Sequence, residues 1–126
     1  MSVDGRVSAG GEVLVPITVY SGNETAREIE ALVDTGFNGG LALPARHIEE
    51  LELSLVGRER MLLASGDLHF ARTYRASVGL KGERASVRVV EAGEPLVGMA
   101  LLWGYDLRIE CVENGRVVLD KRLGHE

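Results

Sequence analysis

The chain has 126 residues, of which 45% are hydrophobic, which is enough for one core and too little for two. Its 14 basic and 19 acidic side chains give a formal net charge of -5 without a basic cluster that would favour nucleic acid as a partner. The opening residues lack a secretory pattern, and no apolar run approaches the roughly 20 residues that cross a bilayer. We therefore expect a single domain over residues 1–126, soluble and cytoplasmic, with neither nucleic acid nor a membrane as a partner.

Cys111 is the single cysteine of the chain. It excludes an intrachain disulfide, fits a reducing compartment, and is expected to be a small core residue. The three histidines, His47, His69 and His125, are dispersed and form no spacing typical of metal ligands. The sequence thus predicts neither a metal site nor a cofactor.

The first half of the chain predicts strands and one short helix. Glycines, 16 in all, are spread along the chain with short runs of valine, leucine and isoleucine between them, which is typical of short strands joined by tight turns. Residues 13–19 and 26–33 are predicted strands on either side of a turn, with Pro16 at an edge or bulge. Residues 44–51 predict a helix with proline in its first turn.

The second half predicts two hairpins and a second short helix. Residues 61–64 and 70–80 should form a hairpin with the small polar tip Ser65-Gly66-Asp67, followed by a strand over residues 84–90. Residues 99–103 predict an apolar helix that is buried in the core and ends at Gly104. The Asn-Gly pair at residues 114–115 predicts a final hairpin that joins residues 107–112 to residues 116–119.

The predicted strand that ends at Val33 continues directly into Asp34, Thr35 and Gly36. A carboxylate can activate water, a hydroxyl can hydrogen-bond to a neighbouring strand, and a glycine lets two backbones approach closely. The alternative is a plain turn, since all three residue types favour turns. A phosphate-binding loop is disfavoured, because no lysine follows the nearby glycines and their spacing matches no P-loop or dinucleotide fingerprint.

The apolar strand followed by Asp34-Thr35-Gly36 resembles the active-site motif of the retropepsin-like aspartic proteases of clan AA. A second hallmark of that family, two apolar residues and a glycine before a helix, is similar to Leu96-Val97-Gly98 and the predicted helix behind it. The segment 62–74 lies where the family carries its flap, a hairpin that closes over substrate. The resemblance covers most of residues 12–121, and phenylalanine after the triad resembles a microbial single-domain subgroup.

This resemblance implies an all-β fold, a closed retropepsin-like (acid protease) barrel of six to eight strands with one or two short helices. It also implies hydrolysis of peptide bonds in a peptide or protein substrate, without a metal, cofactor or covalent intermediate. Asp34 would be the catalytic carboxylate, Thr35 would lock two loops together, and Gly36 would lend its N–H group. The expected substrate-binding residues are Phe37, Asn38, Ser65, Gly66 and Asp67.

The chain departs from the retroviral pattern at three positions. Retroviral enzymes usually have alanine and an acidic residue after the triad and an arginine after the second glycine; here these positions hold Phe37, Asn38 and Met99. In the retroviral enzymes the acidic residue and the arginine form an ion pair. Because both partners are absent here, no buried charge is left unpaired. We expect Phe37 to line the substrate groove beside the carboxylate.

The chemistry of this family needs two carboxylates about 3 Å apart that share one proton. The chain has one Asp-Thr-Gly triad, so we expect a homodimer whose two-fold axis places Asp34 beside its mate. Residues 117–119 are a candidate strand for a sheet shared between the termini of two copies. Two alternatives stay open: a dimeric binding or scaffold module of the same fold without efficient proteolysis, and a monomeric β-barrel for a small ligand.

Overall fold

The computed structural model describes residues 2–22, 25–62, 65–80 and 83–123, with ten strands and two short helices. The elements are β1 (Ser2–Val7), β2 (Val13–Tyr20), β3 (Ala26–Val33), β4 (Leu41–Leu43), α1 (Ala45–Glu50), β5 (Ser54–Leu62), β6 (Leu68–Leu80), β7 (Glu83–Glu91), β8 (Leu96–Val97), α2 (Met99–Leu102), β9 (Tyr105–Ile109) and β10 (Arg116–Lys121). The predicted all-β class is confirmed. Neither helix in these ranges is long and apolar enough to cross a membrane.

All ten strands belong to one sheet, in the order β5-β6-β7-β4-β8-β3-β2-β1-β10-β9. A further pairing joins β2 to β6, so β2, β3, β8, β4, β7 and β6 are paired one after another around a cycle. Strand β2 pairs with β1 near its start, at residues 13–14, and with β6 near its end, at residues 18–20. Pro16, which has no N–H group to donate, lies between these two paired segments, as expected of a proline in a strand.

The core sits between strands that alternate apolar and polar side chains. Alternate residues of a strand point to opposite faces, and Val15, Ile17 and Val19 of β2 are buried in the main apolar cluster. Strand β4 is buried on both faces, because Leu41 and Leu43 belong to this cluster while Ala42 belongs to a second, smaller one. Strand β4, into which residues 34–40 lead, is thereby held between two apolar clusters.

Helix α1 packs Ile48 against the core and leaves most of its other side chains exposed. The helix begins after Pro44 and covers Ala45–Glu50, whereas residues 44–51 were predicted. The ring nitrogen Nδ1 of His47 is buried and has no hydrogen-bond partner in the part of the chain described above. Burial disfavours the charged imidazolium and lowers the pKa of His47 below its ordinary 6.5, and the positive charge of Arg46 lowers it further.

We expect His47 to make the protein less stable in acid. Since the unfolded chain takes up a proton at His47 at a higher pH than the folded chain does, the stability from neutral His47 is present above about pH 6.5 and is lost as the pH falls through the lower folded pKa. Urea unfolding at a series of pH values should show a shallower decline below that point in His47→Gln than in the wild type. Equal slopes would contradict this assignment.

The C-terminal region corrects two of the predictions, the burial of Cys111 and that of Trp103. Cys111 is exposed, because β9 ends at Ile109 and the chain then turns, with Val112 donating to the carbonyl oxygen of Glu110 at 2.8 Å. Helix α2 buries Leu101 and Leu102 as predicted, but Trp103 lies beyond the helix end and is 70% exposed. Residues 117–119 are buried and pair on both sides, with β1 and β9, so this segment is not a free edge.

Candidate active site

Strand β3 carries the chain into the predicted catalytic triad. Alternation along β3 buries Ile29, Ala31 and Val33, so the first residue after the strand leaves the core. The N–H group of Asp34 donates to the carbonyl oxygen of Val97 at 2.9 Å. The start of the loop is therefore held by β8, the strand that carries the second predicted hallmark.

The loop of residues 34–40, here called the site loop, joins two strands that do not pair with each other. Strand β8 lies between them, parallel to β3 with Val33 opposite Val97 and antiparallel to β4 with Leu41 opposite Val97. The site loop must therefore pass over the end of β8 to reach its other side. Strand β8, which is distant in the sequence, thus pairs with the strands at both ends of the site loop.

The start of α2 holds the middle of the site loop. Gly98 donates to the carbonyl oxygen of Gly40 at 3.0 Å, Met99 to that of Phe37 at 2.8 Å, and Ala100 to that of Gly39 at 3.1 Å. These three consecutive N–H groups satisfy carbonyl groups of the loop. The two segments that the sequence marked as paired hallmarks are thus joined by a continuous set of backbone hydrogen bonds.

Gly98 lies where no other residue fits. A Cβ atom at this position would overlap the carbonyl oxygen of Gly39 and would lie 2.7 Å from the carbonyl oxygen of Phe37. Both obstacles are backbone atoms, which cannot turn aside as the end of a side chain can. The close approach of β8 to the site loop therefore depends on glycine.

The triad itself forms a tight turn with an exposed apex. The Oδ1 atom of Asp34 accepts a hydrogen bond from the N–H group of Gly36 at 3.0 Å, and the carbonyl oxygen of Asp34 accepts one from Phe37 at 3.1 Å. Asp34 is partly buried, whereas Thr35 and Gly36 are exposed. The carboxylate is thus oriented by its own loop, next to a surface that another molecule can reach.

Beside the site loop lies an open cleft of about 640 Å³. Its walls come from the site loop, from β5 and β7, and from α2; the described lining residues are Gly36, Phe37, Asn38, Gly39, Gly40, Leu41, Glu59, Arg60, Leu62, Ser86, Val87, Arg88, Val90 and Ala100. Three of the predicted site residues, Gly36, Phe37 and Asn38, are among them. Phe37 is partly buried and packs against the smaller apolar cluster, so its ring forms part of the wall.

Strands β5 and β6 form one long hairpin, and the segment 62–74 that was predicted as a flap belongs to it. The first strand begins at Ser54, earlier than the predicted residues 61–64. We call this hairpin the flap. Its last described pair before the tip is Leu62 opposite Leu68. At the tip, Ser65 donates from its hydroxyl to Oδ2 of Asp67 at 3.0 Å, and Gly66 has a φ of +90°. These three predicted binding residues are exposed and lie outside the described lining of the cleft.

Arginines that are far apart in the sequence lie opposite each other on neighbouring strands of the flap and β7. Arg58 lies directly opposite Arg72, and Arg75 directly opposite Arg88. Like charges in such positions repel. The Arg88 guanidinium is partly compensated by Glu59, at 3.1 Å between Nη1 and Oε1. Of these arginines, only Arg88 is among the described lining residues of the cleft. Its place there could not be predicted from the sequence, because only strand pairing brings it beside Arg75 and Glu59.

Within the described ranges, no three His, Cys, Asp or Glu side chains are grouped so as to hold a metal ion. The groups that the described site presents are a carboxylate, backbone N–H groups and a cleft with both apolar and charged walls. Comparison of the chain with protein-family models and with curated proteins found no match.

Proposed function

We propose that the chain is an aspartic endopeptidase of the retropepsin type, active as a homodimer in which the Asp34 carboxylates of two copies activate one water molecule. The observation that carries this proposal is the site loop. It presents Asp34 at the end of a strand, beside the exposed apex of Thr35 and Gly36, and it is hydrogen-bonded to the segment that begins at Val97.

The strand pairing supports a closed barrel of the acid protease kind. Strands β2, β3, β8, β4, β7 and β6 pair around a cycle, and closure of such a cycle removes the unpaired edges that an open sheet would leave. The parallel contact of β3 with β8 lies beside the antiparallel contact of β4 with β8. This arrangement fixes the loop that carries the catalytic carboxylate.

The proposed reaction uses one ionised and one protonated carboxylate. The ionised Asp34 accepts a proton from water, whose oxygen attacks the carbonyl carbon of the peptide, while the protonated mate donates its proton to the carbonyl oxygen. The carboxyl group that took the proton from water then donates it to the amide nitrogen, and the C–N bond breaks. The mate recovers its proton from a hydroxyl group of the tetrahedral intermediate, and the products are a carboxylic acid and an amine. Because the two carboxylates share one proton, the rate depends on pH as a coupled pair.

The cleft beside the site loop supports an extended peptide as substrate. Phe37, Leu62 and Val87 supply accessible apolar side chains, while Arg60 and the Glu59–Arg88 pair supply charge. The flap carries exposed apolar side chains near its tip, since Leu62, Leu68 and Phe70 are each more than half exposed. A bound peptide would cover such side chains, and this favours closure of the flap over substrate.

The test is cleavage of a diverse peptide library between about pH 3 and pH 8, with and without a statine-type mimic of the tetrahedral transition state. We expect cleavage that the mimic blocks and that metal chelators leave unchanged. Cleavage that resists the mimic would contradict the proposed mechanism.

Absence of cleavage by a sample shown to be dimeric would favour the second function, a dimeric binding or scaffold module of the same fold. A stable monomer with neither cleavage nor association would instead favour the small-ligand barrel. The mass of the protein in solution, measured on the same sample, separates these two outcomes.

A further inference from the structure

Strand β9 forms one end of the ten-stranded sheet and pairs with β10 alone among the described strands. An unpaired edge presents a row of N–H and C=O groups that can hydrogen-bond to another strand. Tyr105, Leu107 and Ile109 of β9 are partly buried against the main core, whereas Asp106 and Arg108 are exposed on the opposite face. The edge is therefore apolar on one face and charged on the other.

The hydrogen bonds at the two ends of β9 show which backbone groups are free. Glu110 donates to the carbonyl oxygen of Arg116, and Arg122 donates to that of Gly104, each at 2.9 Å. Residues at even positions, including Asp106 and Arg108, therefore point their backbone groups toward β10, because these groups alternate along a strand.

By the same alternation, the backbone groups of Tyr105, Leu107 and Ile109 point away from β10. Within the described ranges they have no backbone partner. The carbonyl oxygen of Ile109 has only a long contact, at 3.8 Å, from the thiol of Cys111.

The sequence of β9 is complementary to itself in the antiparallel direction. When two copies of Tyr105-Asp106-Leu107-Arg108-Ile109 are aligned about Leu107, each acidic side chain meets a basic one and each apolar side chain meets an apolar one. Leu107 then faces its own mate, and Tyr105 faces Ile109 of the other copy. All three residues with outward backbone groups form hydrogen-bonded pairs in this alignment.

Other alignments of the two copies are less favourable. If the two-fold axis that relates the two strands passed through Asp106, the two Asp106 carboxylates would lie directly opposite each other. If it passed through Arg108, the two guanidinium groups would do so. Like charges in such positions repel. An axis at Leu107 instead places Asp106 and Arg108 in the pairs without hydrogen bonds, where side chains approach most closely. Asp106 already binds Arg122 at 2.8 Å, and its carboxylate can accept from a second guanidinium as well.

We propose that β9 is the homodimerisation strand: two copies of the chain pair through their β9 edges, antiparallel and centred on Leu107, into one continuous sheet. The occupant of the edge is a second copy of this chain because the charge pattern of the strand complements itself. This inference deepens the proposed function, which requires a dimer, and rests on it for its biological role. Strand β9 follows α2, whose first residues hydrogen-bond to the site loop.

Charge reversal tests the pairing and its register. The dissociation constant of the dimer is measured by sedimentation for the wild type, for Asp106→Arg, for Arg108→Asp and for the double variant in which the two charges are exchanged. Each single variant should weaken the dimer at least about tenfold, because both symmetric contacts become repulsive. The double variant restores opposite charges and should regain most of the affinity. Glu28→Arg, which changes an exposed charge on β3 by the same amount, should have no effect.

Amide hydrogen exchange of the wild type provides a second readout that needs no variant. The N–H groups of Tyr105, Leu107 and Ile109 should gain protection as protein concentration rises, while that of Arg27 should not change. A monomeric wild type, equal affinities in all variants, or a double variant as weak as the single ones would overturn the proposal. Hydrolysis assayed on the same samples separates the two claims: a charge-dependent dimer without hydrolysis contradicts only the proposed function, and hydrolysis by a charge-insensitive dimer contradicts only the β9 pairing.

Discussion

Replacement of Asp34 by asparagine should reduce peptide hydrolysis about 10³-fold or more, since an amide cannot accept the proton of the attacking water. The fold should persist, because the amide oxygen of asparagine can accept the hydrogen bond that Gly36 now donates to Oδ1 at 3.0 Å. The backbone bond from residue 34 to the Val97 carbonyl oxygen is independent of the side chain. The measurement is kcat/KM on a cleaved library peptide, with the circular dichroism spectrum and the mass in solution recorded alongside.

A matched control for this variant is Asp120→Asn, which makes the same chemical change at an exposed position of β10. This control should keep wild-type activity. Activity that survives in Asp34→Asn would end the case for Asp34 as the catalytic carboxylate, whereas equal loss in both variants would point to general damage to the protein.

Replacement of Gly98 by alanine should destabilise the protein by about 3 kcal/mol, and in a marginally stable protein that is a large part of the free energy of unfolding. The added methyl group would overlap the carbonyl oxygen of Gly39. To make room, the site loop would have to move away from β8, which would weaken the hydrogen bonds from Gly98 to Gly40 and from Met99 to Phe37. Urea unfolding measures the change in stability, and activity should fall with it because these bonds position Asp34.

Gly93→Ala is the matched control, because a Cβ atom at Gly93 would meet nothing within 4 Å. It should change the free energy of unfolding by less than about 0.5 kcal/mol. A Gly98→Ala protein as stable as this control would contradict the close packing of β8 on the site loop. If Gly98→Ala fails to fold while Gly93→Ala folds, the result agrees with the close packing of β8 on the site loop.

Local patterns predicted much of the fold. Alternation of apolar side chains predicted β2, β3 and β7 to within a residue or two, and proline and glycine marked the ends of α1 and α2. The Asn-Gly pair predicted the C-terminal hairpin, although the turn is longer than expected: Asn114 has a φ of +61°, while Gly115 is buried against the carbonyl oxygen of Glu110. These features depend on residues close together in the chain, which is why the sequence alone indicates them.

Features that depend on distant pairing were not predictable in the same way. The parallel contact between β3 and β8 joins segments more than sixty residues apart, and no periodicity in either segment specifies its partner. Cys111 was wrongly placed in the core because residue type favours burial, whereas the end of β9 decides its exposure. The opposed arginines of the flap became visible only once the registers of β5, β6 and β7 were known.

The central claim, that two chains share one active site through their Asp34 carboxylates, is tested most directly by mixing. Wild-type and Asp34→Asn proteins are dissociated, combined in varied proportions at constant total concentration, reassociated and assayed for hydrolysis. If each site needs Asp34 from both copies, mixed dimers are inactive. Activity should then be proportional to the square of the wild-type fraction, because that is the share of dimers with two wild-type chains. A linear dependence on that fraction would mean that each chain acts alone, and it would contradict the shared site.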